Sequence, residues 1–159
     1  IPPLTLVFLA FFALPELNVS LQPIPAAIVG LSLMATAYVA EIYRGALRAV
    51  PVGQWEGASA LGLGQVHVYA RVIMPQASLT ALPVLITYLI GLFKESTLAS
   101  TIGAMDITGR AVVAARADLN GLQVFIEAAA LYLVISVPVG LFGRWLQGRL
   151  GTAKVKVKA

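Results

Sequence analysis

Cysteine is absent from this chain and charge is scarce. Without thiols there are neither disulfides nor thiolate metal sites, and the redox compartment is left open. His67 is the one histidine, so no imidazole pair at ligand spacing exists and no metal role is expected. Charged residues make up 11% of the 159 positions, whereas a soluble domain carries about 25%. Such a chain cannot cover itself with a wetted surface. The formal net charge of +4 raises nucleic acid as a partner, but the basic residues are not interleaved with aromatics on one face, which argues against it. There is no nucleophile–base pair, no HExxH ligand set and no glycine loop to cradle phosphate. A non-catalytic protein without a cofactor is therefore expected. The chain opens at Ile1 inside an apolar run that no basic segment precedes, unlike a signal peptide. An N-terminally incomplete chain is the expectation.

What is present is apolar length. Hydrophobic residues account for 59% of the sequence, and the mean hydropathy is +0.89. Residues 1–14 are apolar but short of the ~20 a spanning helix needs; they are expected to be a partial span. The next run, 24–43, is rich in small residues such as Ala26, Ala27, Gly30 and Ala35, which let membrane helices approach closely. Further spans are expected over 75–93, with a kink at Pro83, and over 122–142. Residues 94–107 are interrupted by Lys94, Glu95, Ser96 and Thr97 and then turn apolar again. That return is too short to cross and reads as a re-entrant or partly inserted segment. The stretch 106–120 reads as a polar, charge-balanced connection, with Arg110 and Arg116 set against Asp106 and Asp118. The closing KVKVK tract reads as a solvated, disordered end.

One polar, glycine-punctuated segment, 51–75, organises these runs. Val50 precedes a proline and is biased away from helical angles, while Pro51 suits a first helical position. Gly62 is placed to stop the helix, because a residue with positive φ is most easily accommodated as glycine. The short helix between them carries Gln54, Trp55, Glu56, Ala58 and Ser59. It is too short to cross a bilayer, and Trp55 is too apolar to sit idle in water. It reads as a helix that a partner grips.

Orientation follows from the basic residues. Arg44, Arg48 and Arg71 flank the 51–75 segment, and Arg144, Arg149, Lys154, Lys156 and Lys158 follow the last span. The positive-inside rule places 44–75 and 144–159 in the cytoplasm. Residues 15–23 carry no lysine or arginine and are expected outside, as is the 106–120 connection.

The 51–75 segment also resembles the cytoplasmic EAA loop of ABC importer permeases, a pattern of Glu-Ala-Ala, three residues, Gly, nine residues, then Ile-x-Leu-Pro. Glu56, Ala58, Gly62, Val72, Met74 and Pro75 fall at matching positions, with Gly57 in place of the first alanine. That glycine loosens the helix by roughly 1 kcal/mol against alanine. Ala40 to Leu47, Gly53 to Glu56, Ala60 to Leu63, Pro75 to Ala77, Lys94 to Leu98 and Ile102-Gly103 are similar to the polar amino-acid branch of these permeases.

The resemblance implies an all-α, multi-pass transmembrane helical bundle whose first helix lies before Ile1. It implies a subunit in the inner (cell) membrane that pairs with a second permease, identical or homologous. Two cytoplasmic ATP-binding cassette subunits would bind it, and an extracytoplasmic binding protein would deliver the substrate. Gln54, Trp55, Glu56, Ala58, Ser59 and Gly62 are the positions it implies for coupling to the ATPases.

Lys94, Glu95, Ser96 and Thr97 have two readings. Either the pair of charges sits at the membrane interface, where lysine snorkels, or the helix break lines a substrate path. In the second case Lys94 or backbone N–H groups would meet a substrate carboxylate, and Glu95 its ammonium. Glu127, just inside the last span, reads as an interfacial or helix-packing carboxylate. A secondary transporter or channel with its broken helix at 94–107 is the alternative, but it would leave the helix around Glu56 unexplained.

Overall fold

The computed structural model describes residues 1–118 and 120–150, so the KVKVK tract lies outside the described residues. Regular structure among the described residues is helical, without strands. Helix α1 spans Pro3–Phe8, widens through a π-helical turn, Leu9–Ala13, and tightens into a 3-10 turn, Leu14–Leu17. Asn18 ends that turn in the left-handed region, with φ 60°. Helix α2 is Pro23–Arg48, with proline in its first turn where a missing N–H costs nothing. Helix α3 is Val52–Ala60 and α4 is Gln65–His67, which passes through a π-helical turn, Val68–Ile73, into α5, Met74–Glu95. A 3-10 helix, Ser96–Ile102, follows directly. Helices α6, Ile107–Asp118, and α7, Gly121–Leu150, complete the order.

Among the described residues, three continuous helical stretches are long and apolar enough to cross a membrane: Pro23–Arg48, Gln65–Ile102 and Gly121–Leu146. The second differs from the sequence reading in both directions. Helix begins at Gln65, ten residues before Pro75, so half of the segment read as a loop is helical. At its other end the chain does not break at Lys94: α5 runs on to Glu95 and changes pitch there. The physical reason is local. The Ser96, Ser100 and Thr101 hydroxyls donate to the carbonyls of Phe93, Thr97 and Leu98 at 2.7, 2.7 and 2.6 Å. Backbone acceptors exposed by the tighter helix are thereby satisfied without water. Helix α5 is also continuous across Pro83, although proline removes one ladder bond. Within the 106–120 connection, Ile107–Asp118 is likewise a helix. Asp106 caps it, its Oδ1 accepting from the Gly109 N–H at 2.7 Å.

The chain divides into two units, each with its own core. One comprises Ile1–Ala37 and Leu89–Val139. Its core joins Val7 and Ala10 to Ala26, Ala27 and Leu31, and to Ala99, Ile102 and Ala104. Gly30 makes this packing possible. A Cβ placed there would lie 2.7 Å from the Val7 backbone nitrogen, so α1 and α2 meet backbone to backbone at a position only glycine allows.

The other unit comprises Tyr38–Tyr88 and the chain from Gly140 onward. Ala46, Val50, Ala58, Val68, Ile73, Ala77 and Ala81 form its core, with Ile73 and Ala77 fully buried. Trp55 and Val72 pack against it. A Cβ on Gly143 would stand 2.6 Å from Cγ2 of Ile86, which brings the last turns of α7 close against α5.

Candidate functional site

Helix α3 is short because both of its ends are specified. Pro51 is the N-cap, with ψ 138°, so the helix starts one residue later than the sequence suggests. At the other end Gly62 has φ +71°. Its N–H donates to the Ser59 carbonyl at 2.9 Å, and the Leu63 N–H reaches the Ala58 carbonyl at 3.3 Å. This doubly bonded closure reverses the chain with glycine in the left-handed position. Open space surrounds the Gly62 Cα where a Cβ would stand, so backbone angle and not crowding selects the residue.

The six positions expected on this helix separate by face. Gln54, Glu56, Ser59 and Gly62 are exposed. Ala58 is 5% exposed and belongs to the core, so it seats the helix and presents no surface. Trp55 is half-buried. Its indole packs edge-on against Tyr69, with centroids 5.0 Å apart and planes at 80°, and part of its apolar surface is thus covered by its own chain. Val52, Leu61, Leu63 and Val66 remain exposed around the helix and its exit turn. The Ser59 hydroxyl donates to the Trp55 carbonyl at 2.9 Å.

Two residues that the sequence reading did not assign tie α3 down. Gln76, in the first turns of α5, donates from Nε2 to Gln54 Oε1 at 3.1 Å and to the Val72 carbonyl at 2.8 Å. Tyr69, on the π-helical turn, supplies the ring for Trp55. Nothing in one sequence marks these partners, because both contacts depend on how the chain returns after Gly64. His67 is exposed at the end of α4.

At the other candidate site the two charges part company. Lys94 is exposed, whereas Glu95 is half-buried. Glu95 Oε2 is enclosed and has no hydrogen-bond partner, and no ion pair joins it to Lys94 among the described residues. Ser96 lines an open groove of about 370 Å³ with Ile28, Leu31, Ser32, Ala35, Leu89, Leu92 and Phe93. Lys94, Glu95 and Thr97 are not part of that lining. The Phe93 ring lies 5.3 Å from that of Tyr132, whose hydroxyl is 3.3 Å from Thr108 Oγ1. Asp106, beside Thr108, has its second carboxylate oxygen buried without a partner. Glu127 is exposed and accepts a hydrogen bond from Gln123 Nε2, one turn earlier on α7, at 3.0 Å.

Residues 1–152 match the family described as binding-protein-dependent transport system inner membrane component. The chain belongs to that family. This transport component is similar to the probable amino-acid permease protein YxeN of Bacillus subtilis, at 36% identity over 86% of the chain and 62% of that protein. It is 35% identical to the L-cystine transport system permease protein TcyB of the same organism, over 94% of the chain and 64% of that protein. The chain thus spans less than two thirds of the length of these relatives. Among solved structures, a crystal structure of an amino acid ABC transporter with histidines superposes with a TM-score of 0.87 at 30% identity. That match covers 94% of the chain and 70% of the other. The fold is accordingly that of an all-helical importer permease, and its family is one of membrane transport components, in agreement with a non-catalytic subunit. The comparisons are to whole proteins and assign no role to single residues.

Proposed function

We propose that this chain is part of a permease subunit of an ATP-driven ABC importer for amino acids of the polar class. The observation that carries the reading is α3 itself. It is closed by a left-handed glycine and held to α5 through Gln54 and Gln76, and it exposes Glu56 amid uncovered Val52, Leu61, Leu63 and Val66. An exposed apolar rim of this kind is what a partner surface covers. The resemblance of the segment makes that partner a cytoplasmic ATP-binding cassette subunit, two per assembly. The names of YxeN and TcyB support the substrate class. A second permease, identical or homologous, and an extracytoplasmic binding protein complete the assembly, with 44–75 and 144–159 on the cytoplasmic side.

In this reading the protein hydrolyses nothing. Closure of the ATPases on nucleotide moves α3. Because Gln76 and Tyr69 bind α3 to the start of α5, the helix carries the adjoining span with it. Gln54, Trp55, Glu56, Ser59 and Gly62 serve the coupling, Ala58 seats the helix, and Lys94, Glu95, Ser96 and Thr97 serve the substrate path. An ion pair at exposed Glu56 adds only ~0.2–1 kcal/mol, so shape at the apolar rim provides most of the docking.

The test is Glu56→Lys in the complete transporter reconstituted in liposomes. Hydrolysis is expected to persist while amino-acid uptake falls, with the subunits still co-purifying. Unchanged uptake would remove the coupling role. Uptake by the permease alone, with no ATPase co-purifying, would favour a secondary transporter.

A further inference from the structure

Helix α6 carries two arginines that neither coupling nor the substrate path uses. Arg110 and Arg116 are exposed, and among the described residues no ion pair engages either of them. On an α-helix they stand about 60° to either side of Val113, so the three share one face. Val113 is 50% exposed on it, and Ala117, between Val113 and Arg110, is exposed as well. The opposite face is packed. Ala111 is buried there, and the Thr108 hydroxyl lies 3.3 Å from that of Tyr132. Contacts behind α6 thus fix its rotation, and the arginine face looks outward.

Beside this face is an open depression of about 310 Å³, lined by Met105, Arg110, Val113 and Ala114. Met105 is 55% exposed. The surface is an apolar patch with a cation on each side. Acidic side chains do not offset it. Asp106 precedes Arg110 by four positions, a spacing that allows pairing along a helix. Its Oδ1 instead accepts from the Gly109 N–H at 2.7 Å, and its Oδ2 is enclosed. Asp118 falls, by position, about 140° round the helix from Val113. Arginine is also disfavoured in short connections on the outer side of a membrane, so two of them on one outward face call for a counterpart.

We propose that the face of α6 formed by Arg110, Val113 and Arg116, with Met105 beside it, is the seat of an acidic surface patch on the extracytoplasmic binding protein. Protein interfaces have this composition, an apolar middle that excludes water and charges at the rim that guide approach. A free anion would leave Met105 and Val113 in water. The inference rests on the importer reading, with α6 outside, and goes beyond it by assigning the docking face and the sign of the partner's charge.

The test uses the complete transporter in nanodiscs and an amino-acid-loaded binding protein that stimulates its ATP hydrolysis. R110E together with R116E should raise the half-saturating concentration of that protein on the order of tenfold, with hydrolysis in its absence unchanged. R110K with R116K, which keeps both charges, should stay within about threefold of the unmodified transporter. Raised salt should weaken docking and narrow the gap between the unmodified and reversed transporters. Val113→Cys, in a chain without cysteines of its own, should react with a membrane-impermeant thiol reagent from outside, and the loaded binding protein should protect it. Equal half-saturation of the reversed and unmodified transporters would overturn the docking face alone. Loss of the second permease from the purified reversed variant would make the face an interface between permeases and would also overturn it. Labelling at position 113 from the cytoplasmic side only would overturn the placement of α6, and the face with it. If no loaded binding protein stimulates the unmodified transporter, the importer reading itself falls, and this inference falls with it.

Discussion

Gln76 Nε2 donates to Gln54 Oε1 at 3.1 Å, joining α3 to the start of α5 across 22 positions of sequence. At the next position of α3, Trp55 packs on Tyr69. These two contacts hold a nine-residue helix that is too short to be stable by itself. A pull on α3 is therefore felt by α5.

Gln54→Ala and Gln76→Ala should each weaken the coupling of uptake to hydrolysis. An exposed hydrogen bond contributes only ~0.5–1.5 kcal/mol, so each single change should reduce uptake per ATP without unfolding the protein. If the two residues act through one contact, the double variant should lose little more than either single one. Fully additive losses would mean that the amides serve different ends.

Gly62→Val should weaken assembly with the ATPase. A side chain at φ +71° costs about 1–2 kcal/mol, and a β-branched one is the worst suited. Gly62→Asn should be milder, since asparagine tolerates this region. Stoichiometry of the ATPase after co-purification is the measurement. Equal loss with valine and asparagine would point to the space around Gly62 and not to its backbone angle.

Glu95→Gln should lower substrate uptake while leaving ATPase docking intact. Oε2 of Glu95 is enclosed without a partner, a costly arrangement unless another group is supplied when the transporter works. The substitution keeps the shape and removes the charge. A nearly silent variant would place Glu95 at the interface, where water already solvates it.

Gly30→Leu should destabilise the contact of α1 with α2. The new side chain would begin 2.7 Å from the Val7 nitrogen, and overpacking of this kind costs ~1–3 kcal/mol or more. Thermal unfolding in detergent should shift to lower temperature. Gly148→Ala, where a Cβ meets open space, is the control expected to leave the transition in place.

Several of these features are legible in the residues themselves. Gly62 announces a left-handed exit because the motif around it is short and polar, and Pro51 announces the entry to within one residue. Other features are not. Ala58 and Ser59 are both small residues of one helix, yet Ala58 is buried and Ser59 exposed. Their difference comes from packing against Ile73 and Ala77, which hydrophobicity alone does not reveal. The helix Ile107–Asp118 is not evident from the residues because its apolar part is only a short run of alanines and valines bracketed by Arg110 and Arg116.

The sequence by itself determined the class of protein, since a chain with 11% charged residues has too little polar surface for water and must place long apolar helices in lipid. It also determined where the short polar helix starts and stops, because proline and glycine act on their own backbone angles. Only the tertiary structure decided which residues meet. The Gln54–Gln76 bond, the Trp55–Tyr69 packing, the separation of Lys94 from Glu95 and the close approach at Gly30 each depend on how neighbouring segments are brought together. Spacing along one chain does not specify such distances, because they are set by the packing of all the side chains between them.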